Sequence, residues 1–133
     1  SLGSSIAIYV ASKRDSMGLV LVSPFDSLAS VAQSHYPIFP VRLLMRHPFP
    51  CMDYIGDIQV PTIVIMAEED NVVPRKHSLS VIEAWPGPLT SVTIPATSHN
   101  DISGRHGEFF REIGKFLVSI EGFSDEPDDA TTR

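Results

Sequence analysis

The feature that most constrains the fold is the alternation of short apolar runs with helix-like segments along the 133 residues. Residues 19–22, 62–67 and 89–94 are rich in aliphatic and β-branched side chains, which is typical of buried strands. Helix-like segments stand before, between and after these runs. Because parallel strands need a crossover that is usually helical, this order predicts right-handed strand–helix–strand units. We therefore predict an α/β fold of three layers, in which helices flank a parallel sheet.

The helices are predicted from periodicity and from residues that start or stop a helix. Residues 2–11 predict a mostly buried helix, and Asp26 or Ser27 can cap the next one. Pro74 suits the first position of a further helix, whereas the prolines between residues 37 and 50 predict short, broken pieces. The last helix has the clearest amphipathic pattern. Its apolar face consists of Phe109, Phe110, Ile113, Phe116, Leu117 and Ile120.

Composition and charge exclude several classes of protein. The net charge is −6, and residues 121–133 hold five acids and one base, so no nucleic-acid partner is expected. No apolar run approaches the ~18–20 residues of a membrane span, and Cys51, the single cysteine, cannot form an internal disulfide. We predict one folded unit over residues 1–120 and a disordered acidic tail over residues 121–133.

Residues that follow strands are the first candidates for a functional site, because ligands bind beyond the carboxyl ends of parallel strands. Asp70 comes soon after the second strand, and His99 follows the third. If these strands are adjacent, the two side chains lie at one edge of the sheet. A carboxylate beside a histidine can fix the tautomer of the imidazole and stabilise its protonated form, as a general base requires. Asp26 follows the first strand and is a rival acid, although capping is its favoured role.

Ser1 is the candidate nucleophile. Ser1-Leu2-Gly3 matches the second part of the pattern G-x-S-x-G, in which a serine stands at a sharp turn before a helix. The N–H groups at the start of that helix can stabilise a developing oxyanion. The order along the chain is serine, then aspartate, then histidine.

With these residues in place, the sequence resembles the C-terminal half of an α/β-hydrolase-fold serine hydrolase, of the esterase, lipase or serine-aminopeptidase-like branch. The resemblance covers nearly all of residues 1–120. The matching pieces are Ser1-Leu2-Gly3-Ser4-Ser5, residues 19–24 with Phe25-Asp26-Ser27, Val60-Pro61-Thr62, Glu69-Asp70-Asn71-Val72-Val73-Pro74 and Ser98-His99-Asn100-Asp101.

The resemblance implies a set of roles. Ser1 would be the nucleophile, His99 the general base and Asp70 the acid that orients it, and the backbone N–H of Leu2 would form half of an oxyanion hole. The reaction implied is cleavage of an ester, thioester or amide through an acyl-enzyme, without a cofactor. The resemblance also implies that the N-terminal half of the domain is absent, so we expect the chain alone to be inactive or poorly active.

Other interpretations stay open at this stage. The fold could serve a non-catalytic binding or interaction protein. A phospho-acceptor domain that uses Asp70 is disfavoured, because no lysine follows the third strand before Lys115. No histidine pattern indicates a metal site. The expected partner is a small-molecule or lipid-like acyl substrate. Four apolar residues between the first two strands could line its site, but core packing is favoured for them: Phe39, Met45, Phe49 and Met52.

Overall fold

The computed structural model describes residues 1–104 and 106–124. Two single turns of 3₁₀-helix, Cys51–Asp53 and Ile55–Asp57, lie between the first two strands. The predicted tail falls mostly on residues 125–133, outside the described residues, and the last helix includes residues 121–124 of that segment. The main elements are α1 (Leu2–Ala11), β1 (Leu19–Val22), α2 (Leu28–His35), α3 (Val41–Leu44), β2 (Thr62–Glu69), α4 (Arg75–Ala84), β3 (Leu89–Ser98) and α5 (His106–Ser124).

The three strands form one parallel sheet in the order β1-β2-β3. Leu19 of β1 pairs with Thr62 of β2, which pairs with Leu89 of β3. The alternation of strands and helices places a helix in each crossover, as parallel pairing requires. The predicted α/β class is confirmed.

Two apolar clusters pack on opposite faces of the sheet and define three layers. On one face, Leu21 and Val64 of the sheet pack with Ile8 of α1 and Val81 of α4. On the other face, the sheet packs against Phe109 and Phe116 of α5. This contact explains most of the predicted apolar face of the last helix, because Ile113 and Ile120 pack there with the two phenylalanines. The prediction is wrong for Phe110 and Leu117, which are 58% and 45% exposed.

Strand β3 is longer than the sequence predicts. The apolar pattern predicts a strand only over residues 89–94, yet the strand continues to Ser98. The register of β2 and β3 shifts between Ala67 and Glu69, and Ala96 adopts a left-handed backbone with φ of 48°. Proline is tolerated in such a strand because, at an edge, its missing N–H breaks no ladder bond. The extension therefore carries the chain past Pro95 and delivers residue 99 to the end of the sheet.

Helix α1 is less buried than predicted. Only Ser4, Ser5 and Ile8 are buried, whereas about half of the side-chain surface of Leu2 and Tyr9 is exposed. Apolar residues lie on all sides of this helix, but the rest of the described chain packs against only one side of it. No helix within residues 1–104 and 106–124 combines the length and the apolar character needed to cross a membrane.

Candidate active site

Three consecutive strands end at one edge of the sheet, and each is followed directly by a polar residue. Ser23 follows β1, Asp70 follows β2 and His99 follows β3. Asp70 and His99 are predicted from the sequence to lie here, whereas Ser23 has no predicted role. All three side chains lie within one hydrogen-bonded cluster.

Asp70 and His99 form a short, buried pair. The Nδ1 atom of His99 lies 2.7 Å from Oδ2 and 2.9 Å from Oδ1 of Asp70. The side chain of Asp70 is 3% exposed and that of His99 is 14% exposed. Because a carboxylate only accepts hydrogen bonds, Nδ1 must carry the proton, which leaves Nε2 of a neutral ring as an acceptor. That acceptor faces away from Asp70.

Ser1 lies at the free nitrogen of His99. Its Oγ is 3.2 Å from Nε2 of His99, so the hydroxyl can donate to the ring. Ser1 is the N-cap of α1, but its side chain makes no capping hydrogen bond. The first N–H groups of the helix, beginning with that of Leu2, have no acceptor within the helix. We call Ser1, His99 and Asp70 the Ser1 set.

Hydrogen bonds hold the charged form of Asp70. Burial raises the pKa of this carboxyl group, but donors from His99, Val73 and Ser23 and the charge of His99 outweigh burial. The pKa of Asp70 is therefore below its usual value. The carboxylate is ionised throughout the neutral range.

Ser4 attaches the start of α1 to the end of β1. Its hydroxyl donates to the carbonyl of Val22 at 3.0 Å and accepts from the N–H of Val22 at 3.2 Å. Ser4 is 6% exposed. One side chain thus satisfies both backbone groups of the last residue of β1 and holds Ser1 near the sheet edge. This role is not predictable from the sequence, because a serine early in a helix has no distinctive local signal.

A second serine, histidine and aspartate meet elsewhere, and we call Ser34, His77 and Asp26 the Ser34 set. The Nδ1 atom of His77 lies 2.8 Å from Oδ1 of Asp26, and its Nε2 lies 2.9 Å from Oγ of Ser34. The favoured capping role of Asp26 is wrong. Ser27 caps α2 by accepting from the N–H of Ser30, while Asp26 bonds His77. This cluster is not predicted from the sequence, because 51 residues separate its acid from its histidine.

A cleft of about 300 Å³ lies between α1 and the segment before β2. Its walls are largely apolar. Among the four apolar residues assigned to the core, Phe39 is 61% exposed and Met52 is 38% exposed, so the favoured core prediction is wrong for both. Met45 and Phe49 are half-buried, and Phe49 both packs against the core and lines the cleft. The other lining residues are Ser5, Ile6, Tyr9, Arg46, His47, Pro48, Pro50, Cys51 and Tyr54.

Two further chemistries depend on cysteine and on metal-binding side chains. Burial raises the pKa of the Cys51 thiol, which keeps it protonated near neutral pH. In residues 1–104 and 106–124, no group of three or more His, Cys, Asp or Glu side chains could hold a metal ion.

Comparison with known proteins supports the same architecture. No family model matches the chain. An uncharacterized protein of Mycobacterium tuberculosis is 38% identical over 101 residues, which cover 76% of this chain and 36% of that protein. The α/β hydrolase domain-containing protein aho-3 of Caenorhabditis elegans is 28% identical over 119 residues, covering 88% of this chain and 34% of that protein. The chain thus spans about a third of the length of these curated relatives.

Solved structures agree in fold. A monoacylglycerol lipase of Paleococcus ferrophilus matches with a TM-score of 0.67 and 19% identity, over 90% of this chain and 66% of that chain. An acylaminoacyl peptidase of Pyrococcus horikoshii matches with a TM-score of 0.67 and 12% identity, over 99% of this chain and 24% of that chain. The chain therefore forms part of an α/β-hydrolase fold. This fold is hydrolase-like, because it is shared with a relative named as an α/β hydrolase domain-containing protein and with the solved structure of a lipase.

Proposed function

We propose that this chain carries the reacting side chains of a serine hydrolase that cleaves an ester, thioester or amide. The observation that carries the proposal is the continuous hydrogen-bonded path from Ser1 Oγ through the ring of His99 to Asp70, with contacts of 3.2 Å and 2.7 Å. A neutral imidazole oriented by a carboxylate can take the proton of a serine hydroxyl. In this geometry Ser1 would act as the nucleophile, His99 as the general base and Asp70 as the acid that orients the base.

In the first half-reaction, Oγ of Ser1 attacks the carbonyl carbon while its proton passes to Nε2 of His99. The carbonyl oxygen becomes an oxyanion, and the N–H of Leu2 at the start of α1 can donate to it. The bond to the leaving group then breaks, and His99 returns the proton to the departing alcohol, thiol or amine. Asp70 stays ionised and stabilises the imidazolium that forms in between.

In the second half-reaction, water attacks the acyl-enzyme, and His99 again serves as base and then as acid. The acid is released and the hydroxyl of Ser1 is restored. The walls of the cleft, which include Ser5 one helical turn from Ser1, are largely apolar and suit a lipid-like acyl group. We propose both the activity and this substrate class for the full-length gene product.

A fluorophosphonate probe tests the proposal, because it forms a stable bond with an activated serine. We expect the full-length gene product to be labelled at Ser1, as mapped by peptide mass spectrometry. Ser1→Ala should abolish the labelling. Ser34→Ala is the matched control, since Ser34 also contacts a histidine, and it should keep the labelling.

Absence of labelling at Ser1 in the folded wild-type protein would sink the catalytic proposal. It would favour the alternative of a non-catalytic binding protein on the same fold. Labelling that survives Ser1→Ala would also contradict the proposal, because another nucleophile would then be responsible.

A further inference from the structure

The carboxylate of Asp70 is held differently at its two oxygens. Oδ1 accepts from the backbone N–H groups of Val72 and Val73 at 3.1 Å and 2.7 Å. Oδ2 accepts from the hydroxyl of Ser23 at 2.8 Å, and it is also the nearer oxygen to Nδ1 of His99, at 2.7 Å. The hydroxyl of Ser23 is thus the donor besides His99 that fixes Oδ2.

Ser23 is itself held rigidly. It is 1% exposed, and its N–H donates to the carbonyl of Ile65 at 2.8 Å. The preceding residue, Val22, is fixed on its other side by Ser4. A serine has a single side-chain torsion before its oxygen, so a fixed backbone leaves the hydroxyl few positions.

The backbone conformation of Ser23 is one that favours glycine over serine. Its φ of 43° lies in the left-handed region, which glycine adopts without strain and other residues adopt at a cost of roughly 1–3 kcal/mol. A glycine would therefore fit this turn more easily. What serine adds is the hydroxyl, and the hydroxyl contacts Asp70.

We propose that Ser23 is a positioning residue whose hydroxyl fixes the rotation of the Asp70 carboxylate, so that Oδ2 stays directed at Nδ1 of His99. The inference rests on the proposed function. Without this donor, the two N–H bonds to Oδ1 still hold the carboxylate, but only His99 contacts Oδ2, so rotation about the last torsion is less restricted. The imidazolium that forms when Ser1 is deprotonated then loses part of its stabilisation, and the rate of acylation falls.

The kinetic test compares Ser23→Ala, which removes the hydroxyl and keeps the strain, with Ser23→Gly, which removes both. An activated ester such as p-nitrophenyl butyrate is the substrate, and the full-length gene product is the enzyme. We expect both variants to lower kcat roughly ten- to a hundredfold, the effect of losing a hydrogen bond to a charged group, with little change in KM. The matched control, Ser34→Ala, should keep the wild-type kcat.

Wild-type kcat in either Ser23 variant overturns the inference. A defect in Ser23→Ala that is absent in Ser23→Gly also overturns it, because backbone conformation rather than the hydroxyl would then be responsible. A rise in KM at unchanged kcat likewise counts against it, since positioning of Asp70 acts after substrate has bound.

A second measurement is independent of catalysis and so separates this inference from the proposed function. The proton on Nδ1 of His99 is observable by NMR at low field when it is held in a short bond to a carboxylate. We expect Ser23→Ala to move this resonance upfield or broaden it, in a Ser1→Ala background where no acyl transfer occurs. An unchanged resonance overturns the inference even if the wild-type protein is an active hydrolase. A changed resonance supports it even if probe labelling at Ser1 fails.

Discussion

The Ser1 set and the Ser34 set contain the same three kinds of side chain at nearly the same distances. In each, a carboxylate accepts from Nδ1 of a histidine at 2.7–2.8 Å, and a serine hydroxyl lies within 3.2 Å of Nε2. The two differ in what surrounds the serine. Hydrogen-bond distances alone therefore do not define a catalytic site.

The surroundings separate the two serines. Ser1 precedes α1, where backbone N–H groups lack acceptors within the helix, and the ring of His99 is 14% exposed. Ser34 lies inside α2, its hydroxyl is also 3.1 Å from the carbonyl of Ser30, and the ring of His77 is 6% exposed. An oxyanion formed at Ser34 would find no helix N-terminus, because the N–H groups of a helix interior are already used. The Ser34 set is a structural contact between α2, α4 and the loop after β1.

Replacing the histidines should give the largest difference between the two sets. We expect His99→Ala to lower kcat for ester hydrolysis about 10⁴-fold or more, because no other group can take the proton of Ser1. His77→Ala should keep kcat but lower the free energy of unfolding by about 2–3 kcal/mol, since Asp26 and Ser34 lose their shared partner. Steady-state kinetics and urea denaturation measure the two quantities. Equal losses of kcat in both variants would show that the sets are not distinct.

Replacing the acids should also lower kcat only in the Ser1 set, and by less than replacing the histidine. Asp70→Asn keeps the shape of the side chain but removes the charge that stabilises the imidazolium, and we expect kcat to fall by about 10³–10⁴-fold. Asp26→Asn is the matched control and should hydrolyse the ester at the wild-type rate. A comparable fall in Asp26→Asn would place the Ser34 set in the reaction.

Replacing the serines should lower the free energy of unfolding more in the Ser34 set than in the Ser1 set. Ser34→Ala removes contacts to His77 and to the helix carbonyl, so the free energy of unfolding should fall by about 1 kcal/mol. Ser1→Ala should change it less, because the hydroxyl of Ser1 makes no capping hydrogen bond. Thermal denaturation followed by circular dichroism provides the comparison. A larger loss in Ser1→Ala would contradict the assignment of Ser34 to structure.

The smallest expected effect is on the pH dependence of stability. Because the folded pKa of Asp70 is lowered, its contribution to the free energy of unfolding is complete above the pKa of an unfolded aspartate, about 3.9. It is lost as pH falls through the folded pKa. Asp70→Asn should therefore lose less stability than the wild type as pH falls below about 4, whereas Ser34→Ala should follow the wild-type slope. Parallel curves for wild type and Asp70→Asn would contradict this expectation.

Much of the fold was predictable because the chain alternates two clear periodicities. The strand cores near residues 19–22 and 62–67 and the amphipathic α5 follow from local sequence. The extension of β3 past Pro95 was not predictable, because it depends on a register shift against β2. The exposure of α1 was not predictable either, since an apolar helix gives no information about which of its sides is covered.

The proximity of Asp70 and His99 followed from strand order, and Ser1 was singled out by its pattern with Gly3. The roles of these residues stay predictions. The contacts of Ser23, Ser4 and the Ser34 set could not be found from local sequence. Each depends on residues 18 to 51 positions apart, and serines have many local uses that hide a long-range one.

The double contact between Ser4 and Val22 also limits how far a strand can pair along β1. Ser23 donates its N–H to Ile65 of β2, so the N–H of the preceding residue, Val22, points to the opposite edge of β1. The hydroxyl of Ser4 occupies both backbone groups of Val22. Any strand that pairs with β1 at this edge must therefore stop short of Val22, because a parallel ladder needs those groups free. The side chain that holds α1 in place thus also sets the length of the ladder at the end nearest the candidate site.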